Sequence, residues 1–404
     1  MSDTLPDQKL QSFLTPEGSP ELTRNLAVRR SLVRWSALKR FCISSTQPLP
    51  EWVLHQLDTL SADQRHEVLG SPEIAIWIES LTVGEQCPSS ELAIVGQIAT
   101  LKKRRTSFFV PLSGSLTFEW HPFGPYILKG HSEPLSEMII ACEGGCLTLT
   151  GTRQNGAKTV YALGSEDEAL PQQMFRRRSL GEGAWEIVDG WPLYQDTFND
   201  GNVSLTLNIA DKDKLHSQLE RAWRLIGSVL PNALLEMTDT ARYLSPIQPL
   251  GQANGIPSFS TPTMPGVLFI GTHDAAGQLL DYGYLAESCL HEHLHNRLYL
   301  LDQASPLICP SNPPGRYYSP WKKTHRPADG LLHAIYVFAH LAWFWNRVAA
   351  TNDNRVMRMA LERRDSQLSP LREGLDAISF SDEFTPVGRA VLGVCQQIAR
   401  GLGC

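Results

Sequence analysis

The histidines of this chain are concentrated in one stretch. Six of the twelve lie between His291 and His340. The stretch opens with HEHLH at 291–295, which matches the pattern HExxH. Residues four apart on a helix project from one face, so His291 and His295 can reach one metal ion, whereas His293 points away. We therefore expect a metal site on this helix, with His291 and His295 as two of its ligands.

Glu292 is the candidate catalytic residue of the motif. It projects ~100° round the helix from His291, close enough to meet a metal-bound water. In HExxH enzymes that bind zinc, a glutamate at this position acts as the general base. Several metals and reactions share the motif, so the remaining ligands and the nearby cations must decide between them.

Two histidines leave a metal site incomplete, and two residues compete for the third position. His333 follows Pro327, which suits the first turn of a helix, so His333 faces inward from the second turn. Asp329 lies one turn before His333 and would give two histidines and one carboxylate, a set that suits iron. Asp329 is also typical of a helix start, where a negative charge is favoured. His333 is our predicted third ligand and Asp329 the alternative. His340, two turns beyond His333, is expected in the core.

The helix that carries the motif is predicted to be buried. Leucines at 290, 294, 298 and 301 form a stripe beside the histidines, which predicts a helix over 284–302. Upstream, residues 266–271 read as a strand. A strand beside an HExxH helix is the usual zincin arrangement, in which the strand edge binds an extended peptide. Residues 306–325, between the two metal-binding helices, read as a loop.

The rest of the chain divides into three regions. Residues 1–105 read mainly as helices, and residues 106–211 as short strands separated by Gly and Pro. Residues 212–404 return to helical periodicity and form the predicted metal-binding catalytic domain. The predicted fold class is α+β, with a helical N-terminal region, a β-rich middle and a helical C-terminal half built on the HExxH helix and its strand.

The composition excludes several classes of protein. Hydrophobic residues make up 42% and charged residues 19%, as in ordinary globular chains. A net charge of -6 argues against a nucleic-acid binder, which usually has a basic excess. The longest apolar run, at 331–345, is shorter than the ~20 residues of a membrane span, and the first residues do not form a signal peptide. We expect a cytoplasmic protein with neither nucleic acid nor membrane as partner.

Segments around and beyond the motif carry a resemblance. They are Cys289 to His295, Tyr318-Ser319-Pro320-Trp321-Lys322, Arg326-Pro327 and Gly330-Leu331-Leu332-His333-Ala334. Together they resemble a family of HExxH-motif proteins associated with gene clusters for modified peptides. The resemblance covers residues 265–345, and the first half of the chain shows no family signature.

The resemblance implies an activity and its cofactors. Members of the family are understood as 2-oxoglutarate-dependent peptide β-hydroxylases that act on ribosomally made precursor peptides. A precursor peptide would then be the partner of this chain, and iron(II), 2-oxoglutarate and O₂ its cofactors. His291, His295 and His333 would hold the iron and leave three positions for 2-oxoglutarate and O₂.

The distal carboxylate of 2-oxoglutarate needs a cation, best the fork of an arginine. Arg326 is the first candidate because it directly precedes the helix that bears His333. Lys322 and Arg316 are the alternatives. A hydroxyl of Tyr317 or Tyr318 can add a hydrogen bond.

Two other functions compete with hydroxylation. In a zinc metallopeptidase, the metal would activate water with Glu292 as general base, and the product would be a cleaved peptide. In a binding or scaffold module, the fold would serve without catalysis. The basic, aromatic stretch from Arg316 to Arg326 favours the hydroxylase, because a peptidase needs no anionic co-substrate.

Overall fold

The structure is a computed structural model that describes most of the C-terminal half and parts of the rest. The described residues are 7–44, 51–72, 74–75, 78, 106–116, 120–123, 126–128, 135–143, 146–153, 155–163, 174–176, 178–181, 185–189, 202–204, 207–249, 257–264, 266–310, 316–351, 354–379 and 381–404. The fold is mixed α+β, and helices dominate it. The chain forms two compact units, of which the first comprises Met1–Ala27, Leu180–Pro262 and Gly266–Cys404, and the second Val28–Ser179 and Thr263–Pro265.

Ten helices are described. They are α1 (Asp7–Leu14), α2 (Pro20–Ser44), α3 (Glu51–Asp58), α4 (Ala62–Leu69), α5 (Ile209–Val229), α6 (Pro231–Thr240), α7 (Tyr282–Ala304), α8 (Ala328–Ala349), α9 (Asn354–Ile378) and α10 (Pro386–Gly401). The first four agree with the predicted helical N-terminal region, of which residues 79–105 lie outside the described residues. Helices α7 and α8 carry the predicted metal ligands, and the residue before each of them explains where the helix begins. Asp281 caps α7 by accepting from the backbone of Gly283, and Pro327 directly precedes α8.

The second unit contains most of the predicted β-rich region 106–211, whose residues from 180 onward belong to the first unit. Its strands are β1 (Thr106–Leu116), β2 (Trp120–Phe123), β3 (Tyr126–Leu128), β4 (Leu135–Glu143), β5 (Cys146–Arg153), β6 (Lys158–Leu163) and β7 (Met174–Arg176). Strands β1, β4, β5 and β6 pair in that order as an antiparallel sheet, and β2, β3 and β7 form a smaller one. The prediction of short antiparallel strands is therefore confirmed for this stretch.

A mixed sheet lies in the first unit. It orders β12 (Ser258–Phe259), β13 (Val267–Gly271), β11 (Tyr243–Pro249) and β9 (Trp185–Ile187), with β10 (Asn202–Ser204) also paired to β11. Strand β8 (Arg178–Leu180) spans the boundary of the two units in sequence. The predicted strand at 266–271 is confirmed as β13, which is entirely buried and packs against α7. However, β13 pairs with β11 on one side and β12 on the other. Its edges are occupied, so it does not offer the open edge that binds peptide in zincins.

The predicted loop between the metal helices is wrong in part. Strands β14 (Arg316–Ser319) and β15 (Thr324–Pro327) form an antiparallel hairpin inside it. Each strand has only four residues, and Pro320 follows the first, so the stretch lacks the longer alternation that identifies strands. We call this element the basic hairpin, residues 316–327.

The segment around α1 belongs to the core of the first unit. Phe13 and Leu14 are fully buried. The turn that follows α1 places Gly18 at φ 75° and lets the backbone N–H of Ser19 donate to a buried carboxylate, Glu236 Oε1, at 2.5 Å. A Cβ on Gly18 would lie 2.5 Å from the same oxygen. The turn therefore requires glycine both for its φ and for its close approach to Glu236.

Glu236 is the centre of a buried polar cluster between α6, α7 and this turn. Its Oε2 lies 3.2 Å from Nε2 of His293 and 3.2 Å from Nε of Arg297, both on α7. Burial alone would raise the pKa of Glu236, but Arg297, His293 and the Ser19 backbone hold it below its ordinary value. The carboxylate is therefore charged, with Arg297 as its counter-ion.

Among the described helices, none combines the length and hydropathy needed to cross a bilayer. The cytoplasmic location stays a prediction.

The Gly18 turn gives a test of the cluster. Replacing Gly18 by Ala should lower the free energy of unfolding by about 3 kcal/mol or more, because the added Cβ separates Ser19 and Glu236. Gly277 is the matched control, since it has φ 74° but no atom within 4 Å of an added Cβ. Gly277→Ala should cost about 1 kcal/mol. Urea unfolding of both variants measures the difference, and equal losses would contradict the role of the turn.

Candidate metal centre

Three predicted ligands lie together in the first unit. His291 and His295 project from α7, and their ring centroids are 5.0 Å apart. His333 on α8 stacks beside His295 with centroids 5.4 Å apart and an angle of 16° between the rings. The Nδ1 atoms of His295 and His333 are 3.1 Å apart. The three imidazoles that the sequence predicts as ligands are therefore neighbours in the structure.

The three rings are adjacent but do not surround a common point. Among the described residues, no group of three or more His, Cys, Asp or Glu side chains has the spacing that holds a metal ion. The donor set nevertheless fits one. Two ligand nitrogens that each lie ~2.1 Å from one ion, with an angle of about 90° at the ion, are roughly 3 Å from each other. The Nδ1 atoms of His295 and His333 have nearly this separation.

The environment keeps the imidazoles neutral, as metal ligands must be. Burial and the nearby Lys322 lower the pKa of His291 to about 4. Burial lowers the pKa of His333 to about 4 as well, although Asp329 and Asp302 oppose the shift. For His295, burial and the two neighbouring histidines lower the pKa. All three rings therefore offer a lone pair at neutral pH.

The imidazoles line a pocket of about 370 Å³. Aromatic side chains and cations line it as well. The residues around it are His291, His295, Tyr299, Ser319, Trp321, Lys322, Arg326, Asp329, Gly330, His333, Ala334 and Phe338. On the side of His291 the wall is aromatic. Phe338 meets the His291 ring edge-on at 5.3 Å, and Trp321 stacks on Phe338 at 4.8 Å. A neutral group fits this end of the pocket.

Cations form another part of the pocket wall. Lys322 and Arg326 both line the pocket, and neither is within ion-pair distance of a carboxylate in the described part of the chain. The Arg326 guanidinium lies over the first turn of α8, where a Cβ on Gly330 would be 3.1 Å from its Nε. Gly330 therefore leaves room for this side chain.

Ser319 adds an unused polar group beside these cations. Its hydroxyl is buried and has no hydrogen-bond partner among the described residues. A buried hydroxyl without a partner is costly unless a ligand completes it. Together with Lys322 and Arg326, it fits an anionic ligand such as a carboxylate.

Two predicted cofactor residues lie elsewhere. Arg316 and Tyr318 are exposed, and neither lines the pocket. Strand alternation explains this, because residues 316 and 318 face the side of the hairpin opposite to residues 317 and 319. Tyr317 is also occupied, since its hydroxyl donates to Glu383 at 2.8 Å. Of the predicted carboxylate partners, the pocket contains Arg326 and Lys322.

Glu292 is separated from the pocket. It is 1% exposed and is not among the lining residues. Its carboxyl Oε2 is 2.9 Å from the hydroxyl of Ser260, and its Oε1 is 4.0 Å from Nε2 of His291. Burial raises the pKa of Glu292 to about 8, although the bonds from Ser260 oppose the shift. At neutral pH it is mostly an uncharged acid packed behind the histidines.

The other histidines of the stretch are structural. His293 is fully buried in the Glu236 cluster, on the face of α7 opposite to His291 and His295. His340 is buried, with Nδ1 2.7 Å from the carbonyl of Tyr336 and Nε2 2.8 Å from the carbonyl of Leu14. Both results agree with the sequence prediction.

Tyr299 is a pocket residue that sequence reasoning missed. Its ring lies 5.1 Å from the ring of His333 and 6.2 Å from that of His295. The available signal was helical spacing, since Tyr299 follows His295 by four residues and so shares its face. Asp329 also lines the pocket, so it remains the alternative third ligand.

The titration of Glu292 gives a test of its buried position. Folding raises the pKa of the Glu292 carboxyl to about 8. Below the ordinary pKa of a carboxyl this has no effect on stability, but as the pH rises from there towards 8 it lowers the free energy of unfolding progressively. Glu292→Gln should therefore stabilise the metal-free protein relative to wild type by about 2–4 kcal/mol more at pH 8 than at pH 5. Urea unfolding at both values measures this. The exposed Glu362→Gln serves as control, and a pH-independent effect of Glu292→Gln would contradict the assignment.

Comparisons with known proteins do not assign this chain to a family. A scan against protein-family models gives no match. A search of curated proteins gives no match either. The function is therefore argued from the chemistry of the pocket, and the family resemblance of residues 265–345 stays an expectation.

Proposed function

We propose that the protein is an iron(II)- and 2-oxoglutarate-dependent hydroxylase that acts on a side chain of a ribosomally made precursor peptide. One observation carries the proposal: a single pocket combines three neutral imidazoles with unpaired cations and a buried free hydroxyl. Imidazoles suit iron, and the cations with the hydroxyl suit the carboxylate of an anionic co-substrate. A site that activates only a metal-bound water would not need these cations and this hydroxyl.

The roles of the residues follow from their places in the pocket. His291, His295 and His333 would hold the metal, with Asp329 as the alternative to His333. Arg326 and Lys322 would bind the distal carboxylate of 2-oxoglutarate, to which Ser319 donates. Bound together, the metal and 2-oxoglutarate supply an oxidation in which a C–H bond becomes C–OH while O₂ and 2-oxoglutarate yield succinate and CO₂.

The aromatic end of the pocket would receive the target side chain. Trp321 and Phe338 form a stacked pair next to His291, so a side chain lying against them would be close to the metal. Apolar walls also exclude water from the reacting carbon.

The alternative is a zinc metallopeptidase on a zincin-like helix and strand. Packing of β13 against α7 and the HExxH spacing favour it. Two features oppose it. The general base would have to contact a water in the cavity, but Glu292 is bonded to Ser260 behind it. The substrate would use the edge of β13, but β12 and β11 occupy both sides.

The two reactions differ in their products. Anaerobically purified protein, reconstituted with iron(II) or zinc, would be given synthetic peptides that differ in their central residue. We expect peptides that gain one oxygen atom only when iron(II), O₂ and 2-oxoglutarate are all present, with equal amounts of succinate. Shortened peptides formed with zinc and without 2-oxoglutarate would refute the proposal.

Arg326 links the reaction to the pocket. Removing a charged, hydrogen-bonded contact to a carboxylate costs ~1.5–3 kcal/mol, so Arg326→Ala should raise the KM for 2-oxoglutarate roughly ten- to a hundred-fold. Gly330→Ala should raise it less, because the added Cβ only displaces the guanidinium. Arg358→Ala, an exposed change on α9, is the control and should leave this KM unaltered. An unchanged KM in Arg326→Ala would remove Arg326 from the site.

Metal content distinguishes the candidate ligands. His291→Ala and His295→Ala should each lose iron without unfolding the protein, since both side chains border the pocket. His333→Ala should lose it as well, and Asp329→Ala should retain it. If His333→Ala retained iron and Asp329→Ala lost it, Asp329 would be the third ligand. His325→Ala is the control for a nearby histidine outside the pocket.

A further inference from the structure

The basic hairpin has an unusual charge. Its twelve residues, RYYSPWKKTHRP at 316–327, contain two arginines, two lysines and a histidine but no acidic residue. The chain as a whole has a net charge of -6. A local excess of cations in an acidic protein concentrates positive potential on this element.

Strand register sorts these cations onto two sides. Tyr317 pairs with Arg326, and Tyr318 pairs with His325. Because side chains alternate along a strand, Arg326 and Ser319 share the inner side, where both line the pocket. Arg316, Tyr318 and His325 share the outer side and are exposed. Lys323 lies at the exposed tip, next to Lys322.

The outer cations have no carboxylate partners in the described part of the chain. Arg316 donates to the backbone carbonyl of His325 at 2.9 Å, and the ring of His325 meets Tyr318 edge-on at 5.8 Å. The nearest acidic residues face the other side, where buried Glu383 accepts from Tyr317. Elsewhere on the first unit, exposed cations are commonly paired, as Arg358 is with Glu362 and Lys214 with Asp211.

The backbone at the tip provides a second observation. Lys323 has φ 52° and is the one described non-glycine residue with a positive φ. This conformation costs a side-chain-bearing residue roughly 1–2 kcal/mol relative to glycine. Such outliers are retained where the side chain has a role, and here the residue is an exposed cation beside the pocket.

We propose that the outer side and tip of the basic hairpin, formed by Arg316, Tyr318, Lys323 and His325, bind an acidic segment of the polypeptide whose target side chain enters the pocket. The identity of the partner as a peptide rests on the proposed function. The carboxylates of the segment would meet Arg316 and Lys323, and Tyr318, 43% exposed, would pack against the chain between them. The net negative charge of the protein disfavours longer polyanions such as nucleic acid.

The position of the surface explains its use. Lys322 borders the pocket and neighbours Lys323, so a peptide held at the tip continues directly to the cavity. Binding a flanking segment would place a side chain at the aromatic end without consuming the cations that the co-substrate needs. The hairpin would thereby select peptides by the charge of the residues next to the target.

The experiment measures binding without turnover. A fluorescein-labelled ten-residue peptide of alternating glutamate and alanine is titrated with metal-free protein in the absence of 2-oxoglutarate, and its anisotropy is followed. A glutamine analogue is the control peptide. We expect the glutamate peptide to bind about ten-fold or more tightly, with an affinity that falls as salt is added. Because neither metal nor co-substrate is present, binding and hydroxylation can fail independently.

Two variants connect binding to the hairpin. Lys323→Gly and Arg316→Gln should each weaken binding of the glutamate peptide about two- to five-fold. The double variant should weaken it by roughly the product of the two single factors. Lys323→Gly relieves the positive φ, so its unfolding temperature should not fall, which separates lost binding from lost folding. Arg358→Gln removes an exposed cation on α9 and should leave the affinity unchanged.

Three results would overturn the proposal. The glutamate and glutamine peptides could bind equally, or the hairpin variants could bind the glutamate peptide as wild type does. Phosphatidylglycerol vesicles or a ten-nucleotide single strand of DNA could also compete better than a peptide of equal charge. The last result would assign the surface to another class of partner.

Discussion

The rotation of helix α7 about its own axis determines whether His291 and His295 face the candidate metal pocket. The Glu236 cluster sets that rotation. His293 and Arg297, four residues apart on α7, both contact the Glu236 carboxylate, and this turns His291 and His295 to the opposite side. A buried charge that loses one partner is strongly destabilising, so the helix has little freedom to roll. The pocket thus depends on a carboxylate that it does not contain.

The pocket is completed by two elements that follow α7 in sequence. Helix α8 contributes His333 and leaves space at Gly330 for the guanidinium of Arg326. The basic hairpin contributes Arg326, Lys322 and the free hydroxyl of Ser319. Imidazoles therefore come from helices, which hold them firmly, and anion-binding groups come from a short hairpin between those helices. The arrangement places the candidate metal ligands on helices and the candidate anion-binding groups on a partly exposed hairpin.

Sequence reasoning succeeded where the signal is local. The i, i+4 spacing of His291 and His295, the proline before α8 and the apolar run of β13 each depend on a few neighbouring residues. It did not predict the surroundings of Glu292, because helical geometry gives the direction of this side chain but not its neighbour, Ser260, which lies 32 residues upstream. The catalytic role of Glu292 stays a prediction. The hairpin was also missed, and with it the alternation that separates Arg326 from Arg316. The burial of Phe13 and Leu14 in the core of the first unit had no local signal in the sequence.

The turn after α1 has a consequence for the order in which the protein can fold. Thr15 accepts from Arg297, 282 residues later, and Leu14 lies against His340, 326 residues later. Contacts of such separation close large loops and slow folding, since the chain entropy is lost before the contact forms. On the ribosome, the earliest segment must wait until nearly the whole chain has emerged. Until then the apolar side chains of α1 have no core to enter, and this interval is when the nascent protein would be most dependent on a chaperone.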